Sequence, residues 1–482
     1  MTKLSWRENI EITAADIPEL TETLIFCDGY NRQICPNVLP NTLKIIVFGR
    51  GYNKPIGLNV LPDSVTVILF GYGFDQPIRQ NSLPISLRSI RFGGGFNQLI
   101  CPNALPDSLK SITFGDGFNQ LIGPNTLPGS LKSIRFGDGF NQIIGSNTLP
   151  SSLKSIIFGD EFNQLIGPNT LPGSLKSIIF GDGFNQQLCE NALPNSLESI
   201  KFGRQFNQQL YENILPKSLR SIEFGWTFNQ TIEHGVMPKY LKSIVFVGDF
   251  DHPIGRDIIP DGVESITFGN SFNQSIGPGS LPPSLNSIVF GWYYNCPIGL
   301  NVLPESLLSI KFGYCFDQPI DPGVLPKSLQ TIIFGSSFNH QTHENVLPES
   351  LRQIEYGVLY DHPISAIYCL DYLEHISILS IKETEIKVEH LPLNLKYLEI
   401  MSSNTIMSLN DESQRMWFSV IHRHHHGYGL LNITFPILLG KFELFDKEYD
   451  IIGEDTIGGK RYVKVINPAH YQPRSNAKSA KK

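Results

Sequence analysis

Charge is scarce in this chain of 482 residues: Asp, Glu, Lys and Arg make up 17% of it, against about a quarter in ordinary globular domains. The charge present leans acidic, with 45 acidic and 38 basic side chains and a formal net charge of −7. There is therefore no broad positive field to hold nucleic acid or an anionic membrane. No apolar run reaches the ~18 residues that a membrane helix needs. The opening MTKLSWRENIEITAADIPEL lacks an apolar signal core. The seven cysteines show no Cys-x-x-Cys spacing, which removes the common zinc and dithiol frameworks. The expectation is a soluble, non-secreted, cytoplasmic chain with reduced thiols.

What the chain has in abundance is Gly, Pro and Phe, at 42, 33 and 31 residues. Their placement is periodic. Leu-Pro pairs begin at Leu39, Leu61, Leu83, Leu105, Leu127, Leu149, Leu171, Leu193 and Leu215, always 22 apart, and the phase continues through Met237 and Ile259 to Leu281, Leu303, Leu325 and Leu347. Ile17-Pro18 lies one period before the series and Leu391-Pro392 two periods after it, with Cys369-Leu370 holding the register between. Internal repeats of this length mean a solenoid whose units bury their apolar faces against one another.

Columns are numbered here from the Leu of each Leu-Pro pair. The unit Leu127 to Thr148, LPGSLKSIRFGDGFNQIIGSNT, has apolar residues at columns 1, 5, 8, 10, 14 and 18. Column 10 is Phe from Phe26 to Phe334 and then Tyr356. Column 14 is aromatic throughout, with Tyr30, Tyr52, Tyr294 and Tyr360 among phenylalanines. Columns 8 and 10 alternate with the more polar 7 and 9, the period of a short strand with one buried face. Gly at column 11 ends that strand, and its expected role is to adopt backbone angles other residues avoid. Frequent Gly and Pro leave no room for a helix in the return path. Column 15 is Asn or, at Asp75, Asp251, Asp317 and Asp361, Asp. It is expected to form a buried hydrogen-bonded ladder, because an unpaired buried amide is costly. The sequons at Asn229 and Asn273 fall in that column and are read as chance matches.

These residues resemble the FNIP repeat, whose consensus contains Leu-Pro-x-Ser-Leu, then Phe-Gly-x-x-Phe-Asn-Gln-Pro-Ile. Phe74-Asp75-Gln76-Pro77-Ile78 and Phe316-Asp317-Gln318-Pro319-Ile320 carry the likeness closely. It extends strongly from 17 to about 365 and weakly to about 400. The family is similar to leucine-rich repeats and occurs in amoeboid protists and in large DNA viruses that infect them, in which case the compartment is the host cytoplasm. Some members carry an N-terminal F-box. Only sixteen residues precede Ile17 here, too few for one, so a ligase role is not transferred.

The expected fold is mainly β: a leucine-rich-repeat-like solenoid of about 16–18 stacked 22-residue units with short parallel strands, plus a small α+β C-terminal cap. Residues 1–16 form an N-terminal cap segment, 17–400 the solenoid with its last two units degenerate, 401–472 a capping module and 473–482 a basic disordered tail. Within the module, Asn410-Asp411-Glu412 resembles a helix start leading through Trp417, Phe418 and Ile421 to the histidines.

No catalytic constellation emerges. Gly115-Asp116-Gly117 and its equivalents recur in phase as turns, not phosphate loops. Cys35, Cys101 and Cys189 are at least three units apart and beyond disulfide reach, while Cys296 and Cys315 lie in adjacent units. His422-Arg423-His424-His425-His426 is a consecutive run, unlike the separated ligands of zinc sites. Neither enzyme activity, cofactor, metal nor small-molecule substrate is expected. The expected partners are proteins, not nucleic acid or membrane.

Binding is expected on the face made by columns 7, 9, 12 and 13. Column 9 carries Thr only at Thr113 and Thr267, too few for an ice-binding plane. Column 12 runs Asp116, Asp138, Asp160, Asp182 and turns aromatic at Trp226, Trp292 and Tyr314. Exposed aromatics concentrate binding energy, so Trp226, Trp292, Tyr293, Lys311 and Tyr314 are the candidate partner-binding residues; the alternative is turn packing. The Asp row reads as a solvated edge against strand association, with a basic partner or a divalent cation as the alternatives. The function expected is a non-catalytic protein–protein interaction scaffold. The alternative is a substrate-recognition subunit of a ubiquitin ligase recruited through the C-terminal module.

Overall fold

The computed structural model describes residues 2–343 and 345–378. Beyond these it describes 386–387, 392, 394–395, 397–402, 407–408, 417–424, 427–434, 456–457 and 460–461. The chain divides into two compact units, Met1–His252 and Pro253–Lys482.

In the first unit, Thr2–Trp6 pairs in parallel with Thr21–Phe26, which pairs in turn with Ile45–Val47. From there to Ser243–Phe246, each strand bonds in parallel to the one 22 residues away, as Ser133–Arg135 does to Ser155–Ile157. The second unit repeats the pattern from Ser265–Thr267 to His375–Ile378. There, Tyr397–Ser402 adds in parallel with His375 opposite Tyr397. Trp417–His424 follows in parallel, and Gly427–Thr434 closes a hairpin on it.

Core and solvent faces follow the sequence alternation. In the unit from Leu127, columns 1, 5, 8, 10, 14 and 18 are all buried. The column 10 and column 14 rings form two stacks: Phe136 and Phe140 lie 3.9 Å apart within a unit, and each meets its successor, Phe158 at 5.6 Å and Phe162 at 6.1 Å. Phe140 and Phe162 are nearly parallel, at 6°, so their spacing measures the local repeat. Since strands step only ~4.8 Å, the first unit bends with its strands on the inside.

Backbone hydrogen bonds tie each unit to its neighbours. The Lys154 N–H bonds the Lys132 carbonyl at 2.8 Å, and the Phe136 N–H bonds the Ile157 carbonyl at 2.9 Å. Turns close at Leu153 N–H to Pro150 O, 3.0 Å, and at Phe140 N–H to Gly137 O, 3.3 Å. Column 4 adds a side-chain ladder. The Ser130 hydroxyl donates to the Leu109 carbonyl at 2.6 Å, and Ser174 does the same to Leu153 at 2.6 Å.

Three expectations need correction. Column 11 glycines do not have positive φ. Their constraint is close approach, since a Cβ on Gly159 would meet the Gly137 carbonyl oxygen at 2.0 Å. The left-handed position is column 21: Asn residues such as Asn37, Asn59, Asn147 and Asn191 have φ near 60°, Asp257 has 62°, and Gly235, Gly279 and Gly323 also have positive φ. Asn tolerates that region because its short side chain bonds locally.

Secondly, the column 15 ladder exists but is not buried. Asn97, Asn119, Asn229 and Asn273 are exposed and Asn163 is half-buried, because the residue after the inward column 14 ring points outward. The burial argument against the two sequons therefore falls.

Thirdly, Trp417–His424 is a strand, not a helix. Aromatic and β-branched Trp417, Phe418, Val420 and Ile421 favour that state. Asn410 to Glu412, His425, His426 and the 473–482 tail lie outside the described residues. None of the seven cysteines, Cys296 and Cys315 included, is joined in a disulfide. No helix among the described residues is long and apolar enough to cross a membrane.

Candidate interaction surface

Columns 11 to 14 form a tight turn after each strand, so columns 12 and 13 stand at its tip. In one such turn the Tyr294 N–H reaches the Gly291 carbonyl at 3.4 Å, presenting Trp292 and Tyr293. Neighbouring turns are tied together: the Cys315 N–H bonds the Trp292 carbonyl at 2.9 Å. Trp292 and Tyr314 thus occupy equivalent tips and stack with centroids 4.5 Å apart and planes 6° from parallel. Trp292 remains 48% exposed, Tyr314 44% and Tyr293 56%. Turn packing and exposure hold together here, because the rings stack on one another while each stays about half exposed.

Lys311 is exposed at the end of the strand Ser309–Lys311, three residues before Tyr314. The structure therefore places three of the five predicted residues on two successive turns of the second unit and Lys311 on the strand that leads into the second of them. Trp226, 41% exposed, belongs to the first unit.

Trp226 stands at one end of a groove of about 540 Å³ that also takes in Arg135, Asp138, Ile157, Asp160, Ile179, Asp182, Lys201, Arg204 and Glu223. Lys201 and Glu223 pair across it at 2.7 Å. Within column 6, Lys176 at 2.6 Å holds the Glu198 carboxyl below the usual carboxylate range. A larger groove, about 860 Å³, follows Asn125, Asn147, Asn169 and Asn191 over the Leu-Pro turns and carries no charged side chain. It is the trough left by the left-handed turns.

Sequence reasoning missed Tyr72, exposed at column 12, and Tyr240, whose ring lies 5.5 Å under the Arg220 guanidinium. Tyr72 was visible as an aromatic in the same column as Trp226. Among the described residues, no three His, Cys, Asp or Glu side chains converge to hold a metal.

The sequence profile of the FNIP Repeat matches eight segments: 9–51, 52–95, 96–139, 140–183, 184–226, 228–271, 272–315 and 316–357. Among solved structures, the chain is similar to CroV588, described as a novel circular LRR protein structure and coming from a giant virus. That likeness has 37% identity and a TM-score of 0.62, and covers 83% of this chain and 68% of the other. A Drosophila Toll–Spatzle complex matches at 10% identity and a TM-score of 0.37, covering 85% and 57%. A leucine-rich repeat protein of Eubacterium ventriosum matches at 11% and 0.14, covering 80% and 81%. No curated protein matches the chain.

Proposed function

Because the chain belongs to the FNIP-repeat family, whose solenoids are built like leucine-rich repeats, we propose that it is a non-catalytic scaffold that binds another protein through its strand-and-turn face. Solenoids of this kind generally serve as protein-interaction scaffolds. The observation that carries the finer reading is the Trp292–Tyr314 stack, with Tyr293 next to Trp292 in the chain and Lys311 three residues before Tyr314. Two large rings fixed by the backbone repeat, yet about half exposed, lose little entropy on binding and supply much contact area. Trp226 offers a second anchor on the first unit.

The test is affinity purification from the native host cell with identification by mass spectrometry. It is run beside a variant carrying Ala at positions 226, 292, 293 and 314, with folding checked by circular dichroism. A specific partner lost by the folded variant supports the reading. A partner retained by it moves the binding site elsewhere.

A further inference from the structure

In the first unit, two rows of opposite charge flank the strands. Column 6, just before each strand, reads Lys110, Lys132, Lys154, Lys176 and then Glu198; column 12, just after, reads Asp116, Asp138, Asp160, Asp182 and then Arg204. Both rows advance with the backbone. Lys154 stacks on Lys132 through its N–H at 2.8 Å, and the Asp116 carbonyl accepts the Gly139 N–H at 2.9 Å. Each row therefore repeats about every 4.8 Å. Stacking like charges at that distance repels, and among the described residues no ion pair reaches any of the four aspartates. Asp160 and Asp182 are held in place, their carboxylates accepting the next backbone N–H at 3.1 Å. Between the rows lie the small column 7 residues Ser111, Ser133, Ser155 and Ser177 and, in column 9, half-buried Thr113, exposed Arg135 and half-buried Ile157 and Ile179, and the groove of about 540 Å³, which Arg135 also lines, runs alongside.

We infer that this face receives an amphipathic α-helix from a partner protein. The helix carries basic residues on the edge over the Asp row, acidic residues on the edge over the Lys row, and apolar residues over Ile157 and Ile179. Spacing selects a helix. One residue per turn recurs about every 5.4 Å, so over the three steps from Asp116 to Asp182 it drifts by about 2 Å, which side chains absorb. Alternate residues of an extended strand recur about every 6.7 Å and drift by about 6 Å, enough to bring a basic residue opposite the wrong unit. The swap to Glu198 and Arg204 sets the length, since a helix of about three turns meets four matched units before the signs reverse. This inference builds on the reading of the chain as a protein-binding scaffold, but not on the Trp292–Tyr314 stack, so either can fail alone.

The test uses the full chain and a synthetic helical peptide with Lys at i, i+4, i+7 and i+11 on one edge, Glu on the other and Leu and Ala between. Fluorescence anisotropy reads its binding at low and high salt. Binding is expected to weaken with salt and to fall at least tenfold in Asp116→Lys/Asp138→Lys and in Lys110→Glu/Lys132→Glu. A peptide with Glu on both edges should regain affinity for the first variant, and one with Lys on both edges for the second. Asp116, Lys132 and Asp138 are exposed and Lys110 is half-buried, and the rescue shows that a variant is folded. Three results would overturn the inference: no binding of the bipolar peptide, binding indifferent to both variants, or equal binding of a peptide broken by a central Pro.

Discussion

The side-chain oxygen of Asn163 accepts the backbone N–H of Asn185 at 2.9 Å and also the Gln186 side-chain amide at 3.1 Å. One oxygen thus ties two residues of the next unit, and Asn119 does the same for Asn141 and Gln142. Asp75 performs the identical task for Asn97 and Gln98, which shows that the acceptor matters and the amide nitrogen does not. Asn163→Ala should lower stability by about 1–2 kcal/mol in urea unfolding, while Asn163→Asp should cost less. Equal losses for both would contradict the acceptor role.

Two glycines separate crowding from freedom. A Cβ on Gly159 would press on the Gly137 carbonyl, whereas one on Gly173 would meet nothing within 4 Å. Gly159→Ala should destabilise by about 1–3 kcal/mol. Gly173→Ala should be neutral or stabilising by about 0.5 kcal/mol, because it narrows the unfolded ensemble. Calorimetric melts of the pair give the comparison, and similar shifts would count against the close-approach account.

Column 21 gives a backbone test. Asn147 sits at φ 61°, where Ala is strained by roughly 1–2 kcal/mol and Gly is not. Asn147→Ala should therefore unfold at lower urea than Asn147→Gly, and the reverse order would rule out a conformational cause.

Burial of three tyrosine hydroxyls predicts an alkaline limit to stability. The hydroxyls of Tyr30, Tyr52 and Tyr294 are buried without a partner, and burial pushes Tyr30 up to about 12 and the other two higher still. A folded-state value above the unfolded one near 10 means that their contribution is intact below pH ~10 and lost as pH rises through the folded value. Tyr52→Phe/Tyr294→Phe should leave stability at neutral pH equal or higher and move the alkaline unfolding midpoint upward. Tyrosinate absorbance during base titration follows it, and an unchanged midpoint would refute the assignment.

The repeat made most of the fold readable. Its period located the strands, and the alternation of columns 8 and 10 with 7 and 9 named the core down to Phe136 and Phe140. What stayed hidden were relations between units. Column 21 is filled only by Asn, Gly or Asp in the units with positive φ, a left-handed signature that reads as ordinary loop when each unit is taken alone. Ser at column 4 is consensus, but its acceptor, such as Leu109 for Ser130, belongs to the preceding unit. Gly at column 11 was legible as necessary and misread in cause, because crowding between Gly159 and Gly137 leaves no trace in composition. On the surface, Trp292 and Tyr314 were legible from one column. The Lys row opposite the Asp row was not, since column 6 lay outside columns 7, 9, 12 and 13, the ones read as the face.

The most direct test of the scaffold reading is amide hydrogen exchange of the full chain, free and bound to its captured partner. The reading predicts that binding slows exchange within residues 287–316, where the strands Ser287–Val289 and Ser309–Lys311 and the turns bearing Trp292, Tyr293 and Tyr314 lie. Protection confined to the Leu-Pro turns, or to residues beyond 400, would contradict it.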